Sequence, residues 1–300
     1  MNLFLENVNL GSSSGPNHFA NKLHKYLSYR GVSFSDKVPY NKKLTFIQSI
    51  GQRRDLPMYL RLDGIYFNSI FDCNLMNRPI RKTYEEAEGV IFQTLFNRDL
   101  IFKWFGEHPN YAVINNGADI AMIRENSYNS DMLKSLSKYD NVWCCAASWH
   151  PYKRLKENVK YFQAHQGPND CLVIAGNNAD YAAADSNIIY AGQLGVEHLL
   201  SLFKMSKYFL HLAYLDHCPN VVIDARACGC KIICSSSGGT KEIAGANAIV
   251  IQEPEWDFSF IKEKGPPSIK GYNVIKNNFD SKVSMTGVAK SYHNFLKGER

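Results

Sequence analysis

The sequence predicts an α/β protein built from two Rossmann-like domains with parallel sheets. Three observations support this fold class: a length of 300 residues, an ordinary composition with 45% hydrophobic and 21% charged residues, and short apolar runs that alternate with longer amphipathic ones. Strands that alternate with helices form parallel sheets through right-handed crossovers. A domain typically holds about 100–200 residues, so the chain is long enough for two.

The first half of the chain supplies one set of alternating elements. An apolar strand at 3–8 precedes a Gly/Ser loop and then a helix with apolar residues near helical spacing: Phe19, Leu23, Tyr26 and Leu27. Further apolar runs predict strands at 59–62, 89–92 and 111–114, and a helix at 95–105. Little structure is expected between Gly31 and Met58, which makes this domain short.

The second half resumes the alternation after a polar stretch, 125–139, that is expected to join the domains. A helix is expected at 153–166 and another, of small residues, at 219–228. Apolar runs predict strands at 142–147, 171–175, 188–191, 208–212, 231–234 and 248–251. We place the domains at 1–139 and 140–285, and we expect a C-terminal helix at 286–300 to pack back on the first domain.

Cysteine usage and hydropathy bear on the compartment. The eight cysteines do not form the paired C-x-x-C sets of a zinc site, and several lie in apolar runs, so we expect free thiols in a reducing compartment. The first residues lack the basic region of a signal peptide, and no apolar run reaches the roughly 18–20 residues that span a bilayer. The sequence therefore predicts a cytoplasmic protein.

The net charge of +6 is a mild basic excess that favours anionic ligands or surfaces. It leaves a peripheral contact with a membrane open. Nucleic acid is disfavoured as a partner because no basic stripe is interleaved with aromatic residues.

The most informative stretch is LDHCPNVVIDARACGCKIICSSSGGTKEI, which begins at Leu215. Asp216 and Asp224 flank a Cys-Pro-Asn turn, and Pro219 suits the start of a helix. The free amides of that helix start can hold an anion, helped by the helix dipole. Carboxylates beside a phosphate make sense if they bind hydroxyl groups, as a sugar and a ribose would supply; the alternative is that they cap the helix.

Two further segments point to an anion at the edges of the predicted sheets, where open α/β sheets bind ligands. Lys153 and Arg154 follow the first strand of the second domain, where cations do not suit the helix dipole and so suggest a bound anion. A solvated basic face is the alternative. Asp63 ends a strand in the first domain, and an ion pair with Arg61 is its alternative explanation. Gly15 lies in a loop that lacks the G-x-G-x-x-G spacing of nicotinamide dehydrogenases.

Together these segments resemble the retaining nucleotide-sugar glycosyltransferases of glycosyltransferase family 4, which have the GT-B fold. The stretch from Asp216 to Ile243 is similar to the family's Glu-x7-Glu signature and the Gly-Gly and Glu after it, with Asp216 and Asp224 in place of the glutamates. GVIFQTLFNRDLIFKWFG, YAVINNGADI and IIYAGQLGVEHLLSLFKMSKYFLHLAY resemble other family segments in the same order, so the resemblance covers about 85–245. It implies two Rossmann-like domains whose sheets face an interdomain cleft.

The resemblance also implies roles for individual residues. Asp216 would contact the hydroxyls of the transferred sugar, Asp224 the ribose, Lys153 the diphosphate, and Asp63 would stand at the position of an active-site histidine. Arg154 would substitute for a family arginine that is replaced here by Trp149-His150. The residues implied to line the donor are Cys218, Pro219, Asn220 and Val221 along the diphosphate and sugar, Gln193 and Leu194 at the base, and Gly15 at the phosphates or acceptor.

The expected activity is transfer of a sugar from a UDP- or GDP-sugar to a hydroxyl of a glycan, a lipid-linked molecule or a small molecule, with retention of configuration. Lys153, Arg154 and the helix start would stabilise the departing nucleoside diphosphate, so no metal or other cofactor is expected. The alternatives are an epimerase or phosphorylase of the same fold, a nucleotide-sugar-binding protein without turnover, and a transferase that modifies DNA bases.

Overall fold

The computed structural model describes residues 1–12, 15–179 and 185–299. The chain forms two compact units, and neither is one continuous segment. Unit 1 consists of Met1–Gly117, Trp256–Lys264 and Lys282–Arg300, and unit 2 of Ala118–Glu255 and Gly265–Ser281. The first division falls between Gly117 and Ala118, upstream of the 139/140 boundary expected from the sequence.

Unit 1 contains a five-stranded parallel sheet whose strands lie in chain order. Its strands are β1 (Leu3–Glu6), β2 (Lys42–Phe46), β3 (Met58–Leu62), β4 (Gly89–Phe92) and β5 (Tyr111–Val113). Its helices are α1 (Gly15–Ser28), α2 (Cys73–Glu86), α3 (Leu95–Phe105) and, from the far end of the chain, α10 (Met285–Lys297).

The core of unit 1 joins the first helix to the last. Phe19 of α1 and Tyr292 of α10 are both fully buried, with their ring centroids 5.8 Å apart. Leu296, also fully buried, belongs to the same apolar cluster as Leu3 of β1. Helix α10 thereby supplies part of the hydrophobic interior of unit 1.

Unit 2 contains a seven-stranded sheet with the strand order β12-β11-β10-β9-β6-β7-β8, and only its edge strand β12 runs antiparallel. The strands are β6 (Asn141–Ala146), β7 (Asp170–Ala175), β8 (Ile188–Gly192), β9 (Tyr208–His211), β10 (Lys231–Ser235), β11 (Ile249–Ile251) and β12 (Val274–Ile275). The helices are α4 (Ile120–Glu125), α5 (Ser130–Leu136), α6 (Leu155–His165), α7 (Val196–Met205), α8 (Asn220–Ala227) and α9 (Thr240–Ile243).

The six parallel strands of unit 2 have the Rossmann order. Strands β6, β7 and β8 run outward on one side, and β9, β10 and β11 run outward on the other, so the winding direction reverses between β6 and β9. A crevice forms where such a reversal separates the connections that leave neighbouring strands, and ligands bind there at the carboxyl edge. The α/β fold class with parallel sheets is confirmed.

The structure differs from the sequence-based elements in several places. Strand β2 and helix α2 lie in stretches where no element was predicted, and the polar stretch 125–139 contains α5. Helix α6 begins at Leu155 instead of 153, because Arg154 has a left-handed backbone (φ 52°) that separates it from a 3-10 turn at Pro151–Lys153. Lys153 therefore lies before the helix and outside its first turn.

Within the described ranges, none of the helices combines the length and the hydropathy needed to cross a membrane.

Candidate active site in unit 2

The winding reversal of unit 2 brings together two of the residues singled out from the sequence. Lys153 follows β6, and Asp216 follows β9, the neighbouring strand. The Lys153 ammonium forms an ion pair with Oδ2 of Asp216. Both side chains keep some solvent access, 22% for Lys153 and 16% for Asp216, so the pair is open to a ligand.

A histidine completes this group. His211, the last residue of β9, donates from Nε2 to the same Oδ2 of Asp216 over 2.8 Å, and its side chain is 4% exposed. Burial alone would raise the pKa of Asp216, but Lys153 and the hydrogen bond from His211 outweigh it and hold that pKa far below the ordinary 3.8. Burial lowers the pKa of His211, so the imidazole is neutral near pH 7.

Two more imidazoles lie within electrostatic reach of the Lys153–Asp216 pair. Burial lowers the pKa of His217 from 6.5 to about 4, with Asp216 acting in the opposite direction. Burial and the nearby Lys153 also lower the pKa of His150. At neutral pH the group therefore contains one ammonium, one carboxylate and neutral histidines, and its formal charges balance.

The backbone on both sides of Asp216 is fixed by the Gly loop after β10. Leu215 has a left-handed backbone (φ 55°), and the Gly239 amide donates to the Asp216 carbonyl over 2.8 Å. A Cβ on Gly238 (φ 78°) would lie 2.6 Å from that carbonyl oxygen. Only glycine tolerates both this φ and this approach, so the Gly pair positions Asp216.

Helix α8 carries the other residues predicted to bind the donor. Pro219 is its N-cap and provides no side-chain cap, and Asn220 and Val221 form its first turn. Cys218 is buried immediately before the helix, and Asp224 is half-buried in its second turn. The start of α8 therefore follows Asp216 closely, as the sequence predicted, and a helix start of this kind attracts an anion.

Arg154 occupies a different place from the one predicted for it. Its guanidinium, 1% exposed, forms a two-pronged ion pair with Glu253 at 2.7 and 2.8 Å. It also donates to the Pro267 carbonyl over 2.6 Å and lies over the Tyr214 ring. Because this charge is already neutralised inside unit 2, the structure favours a structural role for Arg154 over the predicted role at a departing diphosphate.

The residues expected near the base lie at the end of β8. Gln193 is exposed, and its Oε1 accepts a hydrogen bond from Asn177 over 2.8 Å; Leu194 is half-buried. Asn177 follows β7, where a Cβ on Gly176 would lie 1.7 Å from the Ala147 carbonyl oxygen. These loops belong to the same carboxyl edge as Lys153.

Two of the predicted residues belong to unit 1. Asp63 follows β3 and forms an ion pair with Arg61, whose guanidinium is 1% exposed, stacks over Phe19 at 4.2 Å and also donates to Asn116 over 2.9 Å. Burial raises the pKa of Asp63, while Arg61 acts against the rise. Gly15 is the exposed first residue of α1. The ion pair expected as the alternative explanation of Asp63 is present.

The cysteines of the described residues form neither a disulfide nor a metal site. All eight cysteines are free thiols, and burial raises the pKa of Cys171, Cys228 and Cys234 to about 12. Across residues 1–12, 15–179 and 185–299, no group of three or more His, Cys, Asp or Glu side chains could hold a metal ion.

Sequence reasoning missed two residues that shape the site. His211 is a titratable residue inside an apolar strand, five positions before Asp216, and that unusual placement was the available signal. Glu253 follows the buried strand β11, and its pairing with Arg154 spans 99 positions, which no local pattern reveals.

Known proteins resemble this chain in part of its sequence and in its fold. Residues 133–258, which contain Lys153, His211, Asp216 and Asp224, match the family model of glycosyl transferases group 1. No curated protein matches the chain's sequence.

Solved structures match most of the chain at low identity. Sucrose-phosphate synthase from Thermosynechococcus elongatus superposes with a TM-score of 0.65 at 12% identity, covering 85% of this chain and 86% of its own. WaaG, a glycosyltransferase of lipopolysaccharide biosynthesis, has a TM-score of 0.64 at 12% identity over 99% and 90% of the two chains. HepE from Anabaena, in complex with UDP-glucose, has a TM-score of 0.62 at 15% identity over 85% and 86%. The chain thus has the GT-B fold, and its residues 133–258 resemble the glycosyl transferases group 1 family.

Proposed function

We propose that the protein transfers a hexosyl group from a nucleoside-diphosphate sugar to a hydroxyl acceptor, with retention of configuration and without a metal ion. The observation that carries the proposal is the meeting of Lys153 and Asp216 at the winding reversal of unit 2, just before the start of α8. This is where the fold presents a ligand site, and it lies inside the matched domain.

The leaving group is the main chemical problem of the reaction. Breaking the bond between the sugar and the diphosphate releases additional negative charge, and a fixed positive environment stabilises that charge as it develops. Lys153 can supply it because its side chain is partly exposed and carries the charge on a flexible stem. The start of α8 adds oriented amides. Arg154 is committed to Glu253, so we assign the leaving-group role to Lys153 and α8 alone.

The two aspartates would bind different parts of the donor. Asp216 stays ionised because its pKa is held far below the ordinary value, so it can only accept hydrogen bonds, as sugar hydroxyls require. Asp224, one turn into α8, would accept from the ribose hydroxyls. The HepE complex with UDP-glucose supports a UDP-sugar as the first donor to test, with a GDP-sugar as the alternative. The acceptor would be a glycan, a lipid-linked molecule or a small molecule.

Thermal unfolding with added nucleotides tests the site directly. At about 100 times its dissociation constant, a bound UDP-sugar or GDP-sugar should stabilise the protein by about 2.7 kcal/mol. Lys153→Ala should abolish the stabilisation by UDP or GDP, because the diphosphate loses its cation. Lys156→Ala is the matched control, since that lysine is exposed on α6 and should leave the shift intact. An undiminished shift in Lys153→Ala would place the diphosphate elsewhere.

Product analysis separates the proposal from its alternatives. Incubation with a binding nucleotide sugar and a candidate acceptor should release nucleoside diphosphate only slowly until the acceptor is added, and NMR of the product should show the anomeric configuration of the donor. Conversion of the donor without acceptor would indicate an epimerase. Binding without any turnover across acceptors would indicate a nucleotide-sugar-binding protein.

A further inference from the structure

The carboxylate of Asp216 uses its two oxygens unequally. Lys153 and His211 both bond Oδ2, and in the part of the chain that the structure describes no hydrogen bond reaches Oδ1. Since the side chain is 16% exposed and both bonds go to Oδ2, Oδ1 is the better candidate to accept a hydrogen bond from a ligand hydroxyl. The orientation of the carboxylate therefore decides whether that hydroxyl finds an acceptor.

The two partners of Oδ2 differ in how firmly they are held. His211 is the last residue of β9, and Cys234 of β10 pairs with it in parallel register. Its ring is 4% exposed and lies parallel to that of Phe209, with an angle of 12° between the planes. Lys153 is 22% exposed and reaches Asp216 on a flexible stem from a 3-10 turn. Of the two, His211 is the fixed partner and Lys153 the movable one.

Binding of the donor would engage Lys153, the movable partner of Asp216. A diphosphate at the start of α8 carries more negative charge than one carboxylate, so it competes with Asp216 for the Lys153 ammonium. Once Lys153 turns to the phosphate, Asp216 keeps the hydrogen bond from His211. That bond comes from a neutral ring, so it orients the carboxylate without adding a charge.

We propose that His211 is a positioning residue: by donating Nε2–H to Oδ2 it holds Asp216 with Oδ1 towards the donor sugar while Lys153 serves the diphosphate. The inference rests on the proposed function. It predicts that His211 governs affinity for the sugar and leaves affinity for the nucleotide unchanged, because His211 reaches the ligand only through Asp216.

Isothermal titration with matched ligands tests this split. Dissociation constants are measured for UDP and UDP-glucose, and for GDP and GDP-mannose, in the native protein and in His211→Gln, His211→Asn and His211→Leu. In His211→Leu the constant for the sugar nucleotide should rise about tenfold, the effect of losing a hydrogen bond to a charged group. The constant for the free nucleotide should stay within about threefold.

The variants distinguish positioning from a general structural role. His211→Gln should restore sugar-nucleotide affinity to within about threefold, since its amide can reach Oδ2, whereas the shorter His211→Asn should behave like His211→Leu. His211→Asn decides the matter if His211→Leu does not fold. His198→Leu, at an exposed position of α7, is the control for histidine loss.

Two results would overturn the inference while leaving the proposed function standing. One is an equal loss of affinity for free nucleotide and sugar nucleotide, which would make His211 a structural residue. The other is unchanged affinity for both ligands in His211→Leu. A native protein that binds none of the four ligands would overturn the proposed function, and the inference with it.

Discussion

Arg154 shows how a single residue can combine an unfavourable backbone with a buried charge. A residue with a side chain costs roughly 1–2 kcal/mol in the left-handed region, and an unpaired buried charge costs more. Glu253 compensates the buried charge of Arg154 with two hydrogen bonds. The backbone amide of Glu253 in turn donates to the Ser236 hydroxyl over 2.8 Å. The ion pair links the loop after β6 to the segment after β11.

Removing either partner of this pair should destabilise unit 2. We expect Arg154→Ala and Glu253→Ala each to lower the free energy of unfolding by about 3–5 kcal/mol, because each leaves an uncompensated buried charge. Urea denaturation measures the change. Arg154→Gly should lose about 1 kcal/mol less than Arg154→Ala, since glycine accepts the φ of 52° without strain.

The control for the Arg154 substitutions is an exposed lysine in α6, the helix that follows Arg154. Lys156→Ala, two positions on and exposed, should stay within about 0.5 kcal/mol of the native protein. If Arg154→Ala proved equally mild, the guanidinium would be free to act elsewhere, and a role at the diphosphate would return to consideration.

Individual residues of the site were predictable to different degrees. Asp216 and Lys153 could be placed at one donor site from the sequence because both follow strands of one parallel sheet, and such strands share a carboxyl edge. The ion pair of Arg154 was not predicted because its sequence neighbourhood is that of a basic loop, while its partner lies 99 positions away. Burial, which decides between a ligand and a structural ion pair, is set by tertiary packing.

At the level of elements, the loop between β10 and α9 acts as a rigid support for the site. The backbone of Gly238 packs against that of Asp216 so closely that a Cβ would lie 2.6 Å from the carbonyl oxygen and 2.8 Å from the amide nitrogen. These neighbours are backbone atoms and cannot turn away as a side chain can. The position of Asp216 therefore depends on the backbone of this loop.

Gly238→Ala should displace Asp216 without removing any functional group. We expect a loss of sugar-nucleotide affinity of tenfold or more together with a lower unfolding temperature, because the added methyl group and the φ of 78° both force the loop away. Titration calorimetry and thermal unfolding measure the two effects. Gly195→Ala is the matched control: its φ is −66° and a Cβ there meets open space. Native affinity in Gly238→Ala would show that Asp216 tolerates the shift.

Strands β6 to β11 of unit 2 were predicted because they are apolar runs bounded by polar loops. Strand β2 was missed because its sequence, KKLTF, reads as polar, although Lys43 is buried in an ion pair with Glu6 at 3.1 Å. Helix α2 was missed because Pro79, which lies inside it, is a helix-breaking residue type and because the buried Asn77 breaks its apolar stripe. In each case a polar residue is buried through a partner distant in sequence, which periodicity does not detect.

In the whole molecule, segments that are far apart in sequence belong to the same compact unit. Unit 1 takes in the segment Trp256–Lys264, where Trp256 stacks near Phe67 at 4.9 Å, and then α10. The two returns of the chain to unit 1 could not be placed from alternation alone, because alternation records neighbours in sequence. The sequence analysis expected only that a C-terminal helix at 286–300 would pack back on the first domain.

Helix α10 should contribute strongly to the stability of unit 1. Leu296→Ala is expected to lower the free energy of unfolding by about 2–5 kcal/mol, since the side chain is fully buried and its loss leaves a cavity. Denaturant unfolding followed by tryptophan fluorescence measures the loss. Leu133→Ala, at a side chain that is 47% exposed, should change stability by less than about 1 kcal/mol. Equal effects of the two substitutions would contradict the packing of α10.

Because unit 1 is built from separate segments of the chain, its parts become available at different times during translation. Its sheet strands leave the exit tunnel first, yet Tyr292 and Leu296 are translated only after every strand of unit 2. A nascent chain must therefore carry an incompletely filled interior in unit 1 until α10 has been made, while the sheet of unit 2 can form earlier. The five-stranded sheet reaches its final packed state only when that helix covers it.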